Sequence, residues 1–405
     1  MVEKPIEILV FSTLFPHSGE PTLGIFVENR LRKLVASGRV NATVVAPVPW
    51  FPFGAKFFGK YGRMTKAKKL EERSGLKVYH PRYIVIPKVG MRITPFFMFL
   101  AARRCIKKLF NDGYRPELID AHYLYPDGVV ASKLSSELDV PFVLTARGSD
   151  VTEIAQIPGP REEVCRAVDL AEHTITVSEN LRRDLISFGA SAPKVTTLRN
   201  GVDLSHFRDM GRTHYENKWG DGPIMLFAGW LIPRKRLDLV LEVTVRIPGL
   251  VTLIVGDGPL LEELKAKTIL LGLESRVFFL GQRAPSEMPL LYSAADLLFL
   301  ASDREGCANV LLEAMACGTP VVARAIGAAP DLIDNRDGGR VVDSEDPDDL
   351  AKAVQGLISN LPSRQKTRAF ACQFDWTNTT NGQIKIFEAI MATREQRKKG
   401  DEIAQ

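Results

Sequence analysis

Short apolar runs rich in branched and aromatic residues alternate with helical stretches along almost the whole chain, and this alternation restricts it to parallel sheets crossed by helices. In the first half the pattern predicts strands over Ile6–Phe11, Ala42–Ala46, Leu118–Asp120, Phe142–Thr145, Thr174–Val177 and Val195–Leu198. Helices are predicted between them over Ile25–Ser37, Phe97–Phe110, Gly128–Leu138 and Asn180–Phe188. A polar, glycine-containing segment from Ser205 to Pro223 has no clear period and reads as a linker. The layout then restarts, with predicted strands at Ile224–Ala228, Thr252–Val255, Val277–Leu280, Leu297–Leu300, Val321–Ala323 and Arg340–Val342. Its predicted helices are Leu237–Arg246, Leu260–Leu271, Met288–Ala294, Val310–Ala316 and Pro347–Ser359. A length of 405 residues exceeds what one core usually serves. The expected fold is therefore α/β, with two doubly wound Rossmann-like domains facing a central cleft. They cover residues 1–204 and 223–375, joined by a linker over 205–222. A last helix is expected over 376–392 and a charged, flexible tail over 393–405. Ligands of such sheets sit beyond the carboxyl ends of the strands.

Composition narrows the setting. Hydrophobic residues at 45% and charged residues at 25% suit a soluble globular chain. The five cysteines lack metal-ligand or redox spacing and read as reduced thiols. The apolar run Ile6–Phe11 is too short for a signal peptide, and Ile93 to Ala102 has about half the ~20 residues of a membrane span. A cytoplasmic chain is expected. Basic residues crowd two places: Lys56, Lys60, Arg63, Lys66, Lys68 and Lys69, then Arg103, Arg104, Lys107 and Lys108 after the run Phe96–Leu100. This pattern reads either as a solvated helix face with its apolar side in the core, or as a patch for an anionic membrane surface at the inner face of the cell membrane. A net charge of +5 and the lack of nucleic-acid motifs speak against a nucleic-acid partner.

The chemistry concentrates between Ser302 and Pro320, where a glycine-bearing loop leads from a strand into a short helix. Asn309 reads as the cap, leaving the amides near Asn309, Val310 and Leu311 open to a diphosphate. Glu305 before the helix and Glu313 inside it are poor phosphate ligands but good acceptors for sugar hydroxyls. A helix with ordinary acidic residues is the plainer alternative. The basic turn Arg234–Lys235–Arg236 follows a strand, where sites form, although it also reads as a solvated turn. Asp346-Pro347-Asp348 precedes a helix as a cap rather than a cation site, and no Cys/His cluster is present; no metal is expected.

Two glutamates with seven residues between them, followed by Ala-Met-Ala-Cys-Gly-Thr-Pro-Val-Val, resemble the signature of retaining glycosyltransferases of family four, which have the GT-B fold. Gly24-Ile25-Phe26-Val27-Glu28-Asn29-Arg30 is similar to the first helix of members that build surface polysaccharides. Thr145 through Val151, Arg199-Asn200-Gly201-Val202-Asp203 and Val255-Gly256-Asp257-Gly258-Pro259 resemble further segments, from about residue 8 to about residue 376. The resemblance implies transfer of a hexose-type sugar from a nucleoside-diphosphate sugar to a glycan or lipid-linked acceptor, without a separate cofactor. It implies catalytic roles for Glu305, Lys235 and Arg234. Donor contacts would come from Glu313, Asn309, Val310, Leu311, Gly306, Asp257, Gly258 and Arg283. Acceptor-side contacts would come from Gly24, His122, Arg147 and Asp150, and the last helix would pack back on the first domain. Gly24 also reads as a plain turn glycine and Asp150 as a helix cap. Arg147 stands where many members have a histidine, Trp230 where an arginine is usual, and Asp331 where glutamate is usual. Two rivals stay open: a nucleotide-sugar epimerase, which would bind the same donor and need no acceptor, and a silent nucleotide-sugar-binding subunit, which Arg147 and Trp230 keep open.

Overall fold

The computed structural model describes residues 4–50, 64, 66–85, 90–211 and 218–404. The chain forms two compact units, Met1–Arg199 with Thr377–Gln405, and Asn200–Trp376.

Unit 1 contains β1 (Ile6–Phe11), β2 (Val40–Val45), β3 (Val48–Trp50), β4 (Leu70–Arg73), β5 (Leu76–Tyr79), β6 (Arg82–Ile84), β7 (Leu118–His122), β8 (Phe142–Ala146), β9 (His173–Thr176) and β10 (Val195–Thr197). Eight of them form a sheet in the order β10-β9-β8-β7-β1-β2-β5-β4, and β3 pairs with β6. All neighbours in the large sheet are parallel except the β4–β5 hairpin at its edge. The inner strands are near-continuous apolar runs because helices cover both faces; all five residues of β7 and of β8 are buried. The chain order reverses at β1, where β2 lies on one side and β7 on the other.

Unit 2 contains β11 (Ile224–Ala228), β12 (Val251–Val255), β13 (Val277–Gly281), β14 (Leu297–Leu300), β15 (Val321–Arg324) and β16 (Gly339–Val342). They form one fully parallel sheet in the order β13-β12-β11-β14-β15-β16. Its core gathers Phe227, Leu241, Ile254, Phe299 and Val354 from strands and covering helices. The chain moves outward from β11 to β13 and then restarts on the other side at β14. The switch point therefore lies between β11 and β14, the position where such sheets open a crevice for ligands.

Several expectations need correction. The unit boundary falls between Arg199 and Asn200, and the segment read as a linker belongs to unit 2, where the Met210 amide donates to Ser293 Oγ at 2.9 Å and Arg368 donates to the Leu204 and Phe207 carbonyls. The final helix runs over Trp376–Ala404 without ending at 392, because residues 393–399 are dominated by the helix formers Glu, Gln, Lys and Arg. Ile384 and Phe387 of this helix enter the core of unit 1 beside Val10, Phe15 and Leu31. The β4–β5 hairpin escaped the sequence reading because Leu70-Glu71-Glu72-Arg73 is a polar edge strand. Its turn, Ser74-Gly75, has φ of 51° and 78°, the double positive φ of a tight hairpin. Lys56, Lys60 and Arg63 lie outside the described residues.

Candidate functional site

The loops beyond β11 and β14 meet at the switch point of unit 2. Pro233–Lys235 form a single tight turn after β11, and Ser302 to Cys307 follow β14. Asp303 donates its amide to the Arg234 carbonyl at 2.8 Å, which ties the two loops by their backbones. Lys235 Nζ forms a close ion pair with Glu305 Oε1. Arg234 approaches the other oxygen at 3.4 Å and donates to the Arg304 carbonyl at 2.9 Å. Ser302 Oγ donates to Glu305 Oε1 at 2.8 Å. Glu305 is thus held by two cations and a hydroxyl at the sheet's opening. Gly327 permits this geometry: its φ is +53°, and a Cβ there would lie 2.4 Å from the Glu305 carbonyl oxygen.

A second layer of charge supports the two loops. Arg236 pairs with Asp303 at 3.1 Å and with Asp238 at 3.0 Å. Arg324, buried at the end of β15, reaches the same Asp303 oxygen at 2.7 Å, pairs closely with Glu345, and donates to the Ala301 and Ser302 carbonyls. Only the Arg-Lys-Arg triplet hinted at this network in the sequence, since Asp303, Arg324 and Glu345 are distant in the chain or carry no pattern.

The helix after this loop spans Asn309–Ala316. Its cap position is Ala308, with no side-chain cap, so the reading of Asn309 as the cap is corrected. Asn309 is the first helical residue, and its side-chain oxygen accepts from Asn200 Nδ2 at 3.0 Å. The Leu311 amide is also not open, because it donates to the Ala308 carbonyl at 2.9 Å. The amides of Asn309 and Val310 have no backbone acceptor among the described residues, as expected for a helix start. Gly306, Asn309 and Val310 are partly exposed, and Glu305 lies just upstream. This end of the helix offers two N–H groups and the positive pole of its dipole to an anion.

Glu313 lies one turn further in and accepts from Tyr292 OH at 2.7 Å. Burial pushes its carboxyl up, while the tyrosine bond pulls it back down. Asp257 and Gly258 follow β12. The Asp257 carboxylate is exposed and accepts from the Gly258 amide at 2.8 Å, and its carbonyl accepts from the Leu231 amide at 2.9 Å. Arg283 follows β13, exposed, and its side chain bonds the Leu280 carbonyl at 3.0 Å and Glu287 at 3.4 Å. The donor-side candidates therefore all lie in loops beyond the carboxyl ends of one sheet's strands or in the helix Asn309–Ala316 that follows one of those loops. Trp230, directly beyond β11, is half exposed and carries no charge.

The acceptor-side candidates belong to unit 1 and also follow its strands. Gly24 opens the helix Ile25–Ala36 at φ +62°, and a Cβ there would lie 2.2 Å from the Leu14 carbonyl oxygen; its close approach is to this chain's own backbone. Asp150 is buried, and its two oxygens accept from the amides of Leu124, Arg147, Gly148 and Val151 at 2.7–3.2 Å. Asp150 thus fixes the loop after β8 and the start of the short helix Ser149–Thr152. His122 is buried with both ring nitrogens engaged. Arg147 donates to Nδ1 at 2.6 Å, and Nε2–H faces Asp120 at 3.3 Å. Burial drives the His122 value down to about 4, against the pull of Asp120, so the ring is neutral. Asp120 also accepts from Gln383 of the final helix at 2.9 Å, and Gln383 accepts from Arg30 at 2.7 Å. Arg147 itself is buried, with its guanidinium 5.3 Å from the Phe26 ring centroid. His122 and Arg147 form a supporting chain more than an open binding face.

One group here escaped the sequence reading. Asp127 is fully buried beside the loop after β1, bonded through one oxygen to the Thr13 amide and through the other to Thr13 Oγ1 at 2.9 Å. Burial pushes its carboxyl up to about 7 in spite of those bonds. It sits in a π-helical turn, Leu124–Gly128, that carried no motif.

Comparison with known proteins agrees with this architecture. Residues 24–206 match the family model described as Glycosyltransferase Family 4, and residues 212–373 match Glycosyl transferases group 1. A D-inositol 3-phosphate glycosyltransferase of Salinispora arenicola is 30% identical over 312 residues, covering 68% of this chain and 69% of that protein. The Mycobacterium marinum protein of the same name is 32% identical over 238 residues, 55% of this chain, and the match spans about half of that protein's length, 51%. Among solved structures, sucrose-phosphate synthase of Thermosynechococcus elongatus aligns over 96% of this chain and 100% of its own, with a TM-score of 0.78 and 19% identity. Anabaena HepE in complex with UDP aligns over 95% of this chain and 100% of its own, with a TM-score of 0.71 and 20% identity. With both units matched by family models and both sheets built as the fold requires, the chain belongs to the family 4 glycosyltransferases and has their GT-B fold.

Proposed function

We propose that this glycosyltransferase moves a hexose-type sugar, with retention of configuration and without a metal, from a nucleoside-diphosphate sugar to a hydroxyl of a glycan or lipid-linked acceptor. Assembly of a surface polysaccharide at the inner face of the cell membrane is the setting we assign to it. One observation carries the reading: Glu305 lies between Lys235 and Arg234 at the sheet's switch point, in the loop that leads into a helix whose first amides, those of Asn309 and Val310, have no backbone acceptor among the described residues. The amides and helix pole take the diphosphate, and Lys235 and Arg234 turn from Glu305 to the leaving phosphate as its charge grows. Glu305 then accepts hydroxyl hydrogens of the donor sugar, and Glu313 those of the ribose. The anomeric carbon's bond to the diphosphate breaks, its bond to the acceptor oxygen forms, and a diphosphate oxygen takes the acceptor proton. His122 is no base in this scheme, because both of its nitrogens are engaged and its value lies near 4. In the relatives and neighbours, inositol phosphate is the acceptor named and UDP-glucose a ligand seen; both are candidates here, alongside other nucleotide sugars.

The test is a panel of nucleoside diphosphates and nucleotide sugars scored by thermal shift, followed by transfer assays with the ligand that binds. A native-state ligand at a hundred times its dissociation constant adds about 2.7 kcal/mol of stability. Lys235→Ala should lose transfer by about 10²–10³-fold, the scale of one lost transition-state contact, without unfolding. Undiminished transfer by Lys235→Ala defeats the assigned role. Turnover of the sugar nucleotide to an isomer without an acceptor defeats the transferase reading in favour of an epimerase.

A further inference from the structure

Unit 1 carries a groove of about 730 Å³ between the β4–β6 edge and the helix Thr94–Asn111. Its floor and walls are apolar, from Leu70, Tyr83, Ile84, Phe97, Leu100 and Leu109. Its charged lining is all of one sign, Lys69, Arg82, Arg104 and Lys108, with no carboxylate. The helix itself separates two kinds of cation. Arg103 and Lys107 are neutralised by Glu137, at 2.5 and 3.6 Å. Arg104 and Lys108, one turn apart on the groove side, are exposed, and like Lys69 make no side-chain hydrogen bond or ion pair among the described residues. Like charges at that spacing repel, and an anion set between them removes the repulsion. Apolar side chains stand in water around the same groove: Leu70 is 51% exposed and Ile84 42%. Phe96, at the start of the helix, is 55% exposed. An apolar slot lined by Lys69, Arg104 and Lys108, exposed and without an ion pair among the described residues, suits an amphiphile with an anionic head.

We infer that this groove seats an anionic phospholipid of a bilayer, with one acyl chain against Phe97 and Leu100 and the phosphate held by Lys69, Arg104 and Lys108. The inference extends the membrane setting proposed above and stands on unit 1 alone. No helix among the described residues is long and apolar enough to cross a membrane, so contact of this kind is peripheral.

The test uses the full chain with vesicles of phosphatidylcholine, alone or with one-third phosphatidylglycerol, scored by co-sedimentation. Binding to the mixed vesicles and not to the neutral ones is expected. Arg104→Gln with Lys108→Gln should weaken it about 25-fold, since one cation near an anionic surface is worth about fivefold. Ile84→Asp, at an exposed position, should weaken it further without unfolding the chain. A Phe97→Trp chain should lose fluorescence to phospholipids brominated on their acyl chains, relative to the same vesicles unbrominated. Equal binding to neutral and anionic vesicles, or no binding to either, overturns the inference. So does charge-dependent binding without quenching, which is surface attraction alone. Self-association that needs no lipid and is abolished by Ile84→Asp assigns the groove to a second copy and also overturns it. Nucleoside-diphosphate binding, followed by thermal shift in the same proteins, reports separately on the sugar-donor reading.

Discussion

Replacing Gly327 by alanine puts a methyl group where the chain has no room for one. The ideal Cβ would lie 2.4 Å from the Glu305 carbonyl oxygen, 2.9 Å from its carbonyl carbon and 3.1 Å from its Cβ. Two of these three atoms are backbone and cannot swing aside. The φ of +53° adds about 1–2 kcal/mol of left-handed strain for any residue with a Cβ. Forcing a methyl into packed surroundings adds about 1–3 kcal/mol, so a total of about 2–5 kcal/mol is expected in denaturant titration. The same push displaces Glu305 from Lys235 and Ser302, and a misplacement near 1 Å costs on the order of 10²-fold in rate. Gly272→Ala is the control. Its φ is +65° and nothing lies within 4 Å of its Cβ, so it keeps the strain without the collision. Gly272→Ala should lose only the strain energy and keep transfer; Gly327→Ala should lose more stability and most of the transfer. Equal stability losses in the two variants, with transfer intact in both, refute the claim that Gly327 exists to let Glu305 approach.

Further outcomes follow from other parts of the site. Tyr292→Phe removes a hydroxyl 2.7 Å from Glu313, so the glutamate's raised carboxyl should rise further and nucleotide affinity should fall roughly tenfold, the scale of a hydrogen bond to a charged group, measurable by calorimetry. Arg324→Met leaves the Ala301 and Ser302 carbonyls without their donor, while the partly exposed Asp303 and the exposed Glu345 keep Arg236, and should cost about 1–3 kcal/mol in urea titration.

The fold was legible where the pattern repeats and lost where it does not. The strand Ile224–Ala228 and the helix Leu237–Arg246 read correctly to the residue because apolar runs and helical spacing agree there. The helix Pro160–Leu170 was missed, although Pro160 at its start and Glu162 and Glu163 in its first turn are ordinary opening signals; its last apolar residues merge with the run into β9. The Asp346 cap was readable because proline and aspartate fix their own geometry locally, and Asp346 Oδ1 accepts from the Asp348 amide at 2.8 Å. Asn309 misled for the converse reason: a cap-forming side chain one residue late is indistinguishable in sequence from the cap itself. Glu305 and Lys235, seventy residues apart, could be paired in advance only through the family resemblance. Asp303, Arg324 and Glu345 show what a local pattern cannot carry, since their network exists only after β14, β15 and β16 lie side by side.

Asp127 gives a test of burial that is independent of the sugar chemistry. Its carboxyl lies at about 7 in the folded chain against an ordinary 3.8, so the folded state favours the protonated form. Its share of stability is then complete below about pH 4 and is lost as pH rises through 7. A shift of this size corresponds to about 3–5 kcal/mol across that window. His122 runs the other way: with its value lowered from 6.5 to about 4, its share is complete above pH 6.5 and lost as pH falls towards 4. The two therefore offset each other from pH 4 to 6.5, and only above 6.5 does Asp127 act alone. Asp127→Asn keeps an oxygen for the Thr13 amide and offers an N–H to Thr13 Oγ1, so the local bonds survive while the titration does not. The melting temperature of Asp127→Asn at pH 8 should exceed that of the unaltered chain, and the gap should shrink as pH falls to 6. A pH-independent gap would mean that Asp127 is ionised at neutral pH after all, held by groups other than Thr13, and the argument from burial would fail.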